Sequence, residues 1–140
     1  MVHDPEIVGG LGDFVSVNSA LEVDLLGQVN AESVGGRQVA GIGGQFDFVL
    51  GASRAAGGRA IIALPATGRD GAVSRIVATL GAGARVTSPR FLADYVVTEY
   101  GVASLRERVT PGGRGSWPAW PTRTGAISSR REALGLRRRG

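Results

Sequence analysis

Between residues 14 and 25 the apolar side chains Phe14, Val15, Val17, Ala20, Leu21, Val23 and Leu25 dominate a stretch bounded by Asp13 and Gly27. That pattern predicts a buried strand. Asn18, Ser19, Glu22 and Asp24 interrupt it, and such polar side chains either face a cleft or end the strand early. Residues 1–12 read as a short polar opening, 27–30 as a turn into a short extended piece, and Glu32 and Ser33 as loop. The pattern from Gln45 to about Ala55 predicts a helix, ended by Gly57 and Gly58. Residues 59–64 (RAIIAL) form an unalternated run stopped by Pro65, which suits a central strand covered on both faces. Residues 74–80, 84–87 and 94–98 predict further short strands, and 102–108 the start of a closing helix. A helix alternating with short buried strands predicts an α/β domain, with a mainly parallel sheet flanked by helices over residues 13–105.

The most distinctive stretch lies just before the predicted helix, at residues 35–48, GGRQVAGIGGQFDF. Gly41, Gly43 and Gly44 leave three positions without a Cβ, so main-chain N–H groups can approach a bound group closely. The helix opening at Gln45 adds unpaired N–H groups and a dipole that favours negative charge. Together these suit an oxyanion. The dinucleotide pattern G-x-G-x-x-G fails because Phe46 stands where its last glycine belongs, and a phosphate loop fails because the chain contains no lysine. The plainer alternative is a tight strand-to-helix turn with no ligand.

Composition narrows the chemistry. A chain of 140 residues, 43% hydrophobic, has room for one modest domain. With no cysteine and only His3, thiolate chemistry and histidine metal clusters are excluded, and no metal site is expected. No apolar run approaches the roughly 18 residues of a membrane span, and no leader pattern opens the chain, so a soluble cytoplasmic protein with no membrane partner is expected. The net charge of +4 is unevenly placed: residues 1–105 hold seven arginines against ten acids, and residues 106–140 hold nine arginines against Glu107 and Glu132. The basicity therefore belongs to the tail. Residues 110–140, rich in arginine, glycine and proline, show no periodicity and are expected to be disordered.

Five strings stand in one order: NSALEVDLLGQVNAES (18–33), GGRQVAGIGGQFDF (35–48), AIIALPAT (60–67), SRIV (74–77) and YVVTEYGVASLR (95–106). Together they resemble the C-terminal domain of the acetyl-CoA hydrolase/transferase family, which includes 4-hydroxybutyrate CoA-transferases. The resemblance implies a partial fold of the NagB/RpiA/CoA-transferase-like kind over residues 1–109, followed by the divergent tail. It implies transfer of CoA from an acyl-CoA to a carboxylic acid, or acyl-CoA hydrolysis in acetate metabolism, with CoA as substrate and no prosthetic group. In the family a glutamate attacks the thioester to give an acyl-glutamyl anhydride, and the CoA thiolate then forms a glutamyl-CoA thioester. The resemblance places Gly43 and Gly44 as main-chain oxyanion donors and Gln45 as helix opener and side-chain donor. It places Gly41, Glu99, Asn18 and Asn30 along the CoA cleft. Taken without the resemblance, Glu99 is a solvated strand-end carboxylate.

Two departures limit the transfer. The family's nucleophilic glutamate sits upstream of the glycine loop in a Thr-Glu-Met segment, and the 34 residues before Gly35 contain no such string. Glu22, Glu32 and Asp47 do not inherit its role, so the isolated chain is expected to be inactive, with a missing N-terminal half or a homo-oligomer as candidate partner. The tail also departs from the family's leucine- and alanine-rich helical end, as a truncated or frameshifted gene product would. The competing function is a non-catalytic fragment whose basic tail binds nucleic acid or an anionic surface. No nucleic-acid motif accompanies that tail, and it ranks second.

Overall fold

In the computed structural model, which describes residues 4–106, the chain opens with a helix rather than with the polar segment expected. Helix α1 spans Pro5–Gly9. Asp4 caps it by accepting the Glu6 N–H at 2.9 Å, and Pro5 fills the first position, where its missing N–H costs nothing. The stretch expected as one strand divides at Ala20 and Leu21 into β1, Val15–Ser19, and β2, Glu22–Asp24, which belong to different sheets. Three short strands follow: β3, Val29–Asn30; β4, Ser33–Val34, where loop was expected for Ser33; and β5, Arg37–Gln38. Helix α2 then runs Gln45–Arg54, starting where the glycine loop predicts. Strand β6 is Arg59–Ala63, β7 is Thr67–Gly68 and β8 is Val73–Ser74.

The strand expected over 74–80 shrinks to the end of β8 and to β9, Ile76–Val77. No strand forms over 84–87; that segment is irregular, tied in by an antiparallel bridge between Val29 and Ser88. Strand β10 is Tyr95–Thr98. The closing helix expected from Val102 is instead β11, Gly101–Ser104, antiparallel to β10. Pairing with β10 across a tight hairpin supplies the main-chain partners that a helix would have had to make internally. The expected disorder of 110–140 falls outside the described residues.

The main sheet has the order β1-β6-β10-β11, parallel between β1, β6 and β10. A second sheet, β3-β2-β9, and the hairpins β4-β5 and β7-β8 complete an α/β fold. On one face of the main sheet Ala60, Ile62, Val96 and Ala103 are buried and share a core with Val49 and Ala52 of α2 and with Val23, Val29 and Ile76 of the second sheet. Helix α1 rides on α2 at Gly51, where a Cβ would stand 2.4 Å from Val8 Cγ1. The opposite face carries Val15, Val17, Ile61, Val97 and Val102, aligned by the strand register. It is open: Val17 and Val102 are 64% and 62% exposed.

Candidate functional site

Parallel pairing sends the carboxyl ends of β1, β6 and β10 to one edge of the sheet. A short turn joins Arg54, at the end of α2, to Arg59, at the amino end of β6. A ten-residue helix is about 15 Å long, close to the roughly 16 Å of a five-residue strand. The N-terminus of α2 and the glycine loop therefore lie at the carboxyl edge, where open α/β sheets bind their ligands.

The glycine loop meets that edge with free main-chain donors. Gly43 has φ 55° and Gly44, the N-cap, has φ −92° and ψ 5°. A left-handed glycine directly before an uncapped helix N-terminus leaves main-chain N–H groups available to an anion. No side chain caps the helix. The Gln45 N–H reaches the Ile42 carbonyl only at 3.4 Å, and the Phe48 N–H donates to the Gly44 carbonyl at 3.1 Å. Gly41 and Gly43 are exposed, and a Cβ on either would meet no atom within 4 Å. Space is thus left on the open side of the loop, with Ile42 and Phe46 exposing apolar surface beside it.

Two amides stand out at this edge. Asn18 Nδ2, near the end of β1, and Gln45 Nε2, in the first turn of α2, are both shielded and lack a hydrogen-bond partner among the described residues. Shielded donors without acceptors are uncommon and ask for an acceptor from elsewhere. Glu99 follows the end of β10, exposed, with Oε2 accepting the Ala66 N–H at 2.8 Å. That bond fastens the carboxylate to the loop leaving β6. Gly41, Gly43, Gly44, Gln45, Asn18 and Glu99 therefore gather at one edge.

Asn30, also expected along the cleft, stands inside the fold. It is fully buried; Nδ2 donates to Glu22 Oε1 and to the Ser33 carbonyl, both at 2.8 Å, while Oδ1 accepts from the Glu32 N–H, the Ser33 N–H and the Ser33 hydroxyl. Its hydrogen-bonding capacity is filled inside the fold. Glu32 is likewise engaged, accepting the Thr87 hydroxyl at 2.9 Å.

Three charged side chains hold the frame: Asp94 and Arg106, which the sequence did not single out, and Asp24, which it read only as an interruption of the first strand. Asp94 accepts the Ala60 N–H at 2.8 Å and the Arg106 Nε–H at 2.6 Å, and Arg106 also donates to the Gly58 carbonyl. The pair sits at the amino edge of the sheet, away from the glycine loop, and the bond to Asp94 raises the Arg106 pKa further. Asp24 is fully buried, and its Oδ1 accepts the Leu26 and Gln28 N–H groups at 2.9 Å. Burial pushes its carboxyl above the ordinary range, against the opposing pull of main-chain N–H groups. A carboxylate within four residues of two main-chain donors in a D-x-x-G turn is a signal that could have found it. Among the described residues no cluster of three or more His, Cys, Asp or Glu side chains could hold a metal, and no helix is long and apolar enough to cross a membrane.

The molecule is thus an α/β domain whose mainly parallel sheet presents an uncapped helix, exposed glycines and two unsatisfied amides at its carboxyl edge. The acetyl-CoA hydrolase/transferase C-terminal domain family matches residues 1–111. The 4-hydroxybutyrate coenzyme A transferase of Clostridium kluyveri is 51% identical over 105 residues, covering 75% of this chain and 24% of that protein. The succinyl-CoA:cyclohexane-1-carboxylate CoA transferase of Geobacter metallireducens is 50% identical, with the same coverage. Among solved structures, RipA from Yersinia pestis matches with a TM-score of 0.68 at 44% identity, over 75% of this chain and 23% of that one. The 4-hydroxybutyrate CoA-transferase of Porphyromonas gingivalis matches with 0.57 at 40%, over 76% and 24%. The chain belongs to the acetyl-CoA hydrolase/transferase family, and it spans about a quarter of the length of the relatives it matches.

Proposed function

We propose that this domain forms the oxyanion side of a CoA-transferase cleft, in which CoA passes from an acyl-CoA to a carboxylic acid. The supporting observation is the left-handed Gly43 before an uncapped helix N-terminus, with the unpartnered Asn18 and Gln45 amides at the same edge of the sheet. In this reading a glutamate from a region outside these 140 residues attacks the thioester carbonyl. Negative charge develops on the carbonyl oxygen, and the Gly43 and Gly44 N–H groups donate hydrogen bonds to that oxygen before the C–S bond breaks and the thiolate leaves. The thiolate next attacks the glutamyl carbonyl of the anhydride, releasing the acid and forming the glutamyl thioester. A second acid runs the sequence backwards. Asn18 and Gln45 donate to the substrate carboxylate or carbonyl, and the free oxygen of Glu99 accepts from an amide N–H of the pantetheine arm.

Gly41 gives a clean test, because it is not in the left-handed region and a Cβ there meets no atom of the chain. The test joins the domain to the upstream region of the Clostridium kluyveri relative. In that hybrid, Gly41→Val is expected to leave the thermal midpoint unchanged and to lower kcat on the order of 10²-fold, because the added side chain displaces the thioester from the Gly43 and Gly44 donors without deleting either of them. Unchanged kcat in the folded variant would remove the loop from the chemistry. Release of CoA without an acceptor acid, measured in the same hybrid, separates hydrolysis from transfer.

A further inference from the structure

A cleft of about 340 Å³ lies between the β4-β5 and β7-β8 hairpins, beyond the carboxyl ends of β1 and β6, and its lining includes Glu22, Ser33, Gly35, Gly68, Arg69 and Arg75. The Arg75 guanidinium is laid over Gly68: a Cβ on that glycine would stand 3.0 Å from Arg75 Nε and 3.3 Å from Nη2. Gly68 thus provides the seat for a planar cation. Arg69 stands at the start of the connecting turn with φ 50°, followed by Asp70 at 53°. Two successive non-glycine residues in the left-handed region are costly, and such strain concentrates where a fold must aim a side chain.

Neither guanidinium has a carboxylate partner among the described residues; the ion pair found there joins Arg106 and Asp94. Glu22, the carboxylate on the cleft wall, is already held by the Asn30 amide at 2.8 Å. The Ser33 hydroxyl is occupied by Asn30 and the Arg85 N–H, which leaves the arginines as the free donors of the cleft. Arginine's fork of donors matches the oxygens of a phosphate.

We propose that this cleft is a phosphate-binding site, with Arg75 as the seated cation and Arg69 as the outer one, for a pyrophosphate or phosphate-ester group. Its place at the same sheet edge as the glycine loop extends the function proposed above, on which its use for CoA depends; phosphate binding itself does not.

The test is calorimetric titration of the full 140-residue chain with pyrophosphate, ADP and CoA at one ionic strength. Arg75→Gln, Arg69→Gln and Gly68→Val are compared with the parent, each checked by thermal melting. All three probes are expected to bind the parent, and each variant is expected to bind at least tenfold more weakly. Gly68→Val is informative because it unseats Arg75 without changing the charge, and Arg69→Gln because it alters an exposed turn residue and spares the core. Equal binding by parent and folded variants, as contact through the arginine-rich tail would give, overturns the proposal, as does no binding of any probe. Pyrophosphate and ADP binding through Arg75 without CoA binding supports the phosphate site and removes the CoA reading. CoA binding that is indifferent to Arg75 removes the phosphate site and spares that reading.

Discussion

Asp24 shows how one buried side chain sets a pH response. Its carboxyl has no solvent exposure, and Oδ2 has no hydrogen-bond partner among the described residues, so ionising it in the folded state is unfavourable. The folded pKa is raised above the ordinary value near 3.8. Between the two values the native state holds a proton that the unfolded state has lost, so this group's stabilisation is complete below the ordinary value and lost as pH rises through the folded one. Asp24→Asn keeps an oxygen for the Leu26 and Gln28 N–H groups and removes the titration. In urea unfolding across pH 4 to 7, the variant is expected to gain steadily on the parent; a pH-independent difference contradicts the assignment. Asn30 carries a second lesson at this scale. Its place in a polar string beside Glu22 and Ser33 was legible as important, but sequence cannot separate an amide that faces a ligand from one filled by its own loop. Only the five hydrogen bonds around it do so.

Among elements, α2 and β6 were legible because local signals agree: glycines before Gln45, glycines after Ala55, and an apolar run stopped by Pro65. The rest required tertiary information. Nothing local at Ala20 and Leu21 announces that β1 and β2 enter different sheets, and the partners that make β11 a strand lie across the hairpin on β10. Helix α1 did carry a signal, the Asp4-Pro5-Glu6 start, in a segment otherwise short and polar. The expectation that β6 is covered on both faces holds for one face only, since Ile62 is fully buried whereas its strand mate Ile61 lies beside the exposed Val17. The two faces should therefore respond differently. Ile62→Ala is expected to cost about 2–5 kcal/mol in denaturant unfolding. Val17→Thr and Val102→Thr, at positions that fold without losing water, are expected to stay within about 0.5 kcal/mol. Similar losses on both faces would show the open face to be packed in solution.

At the scale of the molecule, the carboxyl edge unites what the sequence could only place in order. The strings around Asn18, Gly43 and Glu99 are far apart in the chain, and parallel pairing of β1, β6 and β10 brings their ends to one side. That convergence was legible only through the family resemblance, since no spacing rule predicts it. The Asp94 and Arg106 pair, which ties the amino edge together, was not legible at all, because an Asp before a strand and an Arg after one are ordinary on a surface. The central claim is a division of labour: these 140 residues supply oxyanion stabilisation, and the covalent nucleophile comes from outside them. Exchange of labelled acetate into acyl-CoA measures this directly, with the chain alone and with the chain joined to the upstream region of the Clostridium kluyveri relative. The account predicts no exchange by the chain alone and ping-pong exchange by the hybrid. Exchange by the chain alone at about 1 s⁻¹ or faster, within the ordinary range of enzymes, would contradict it.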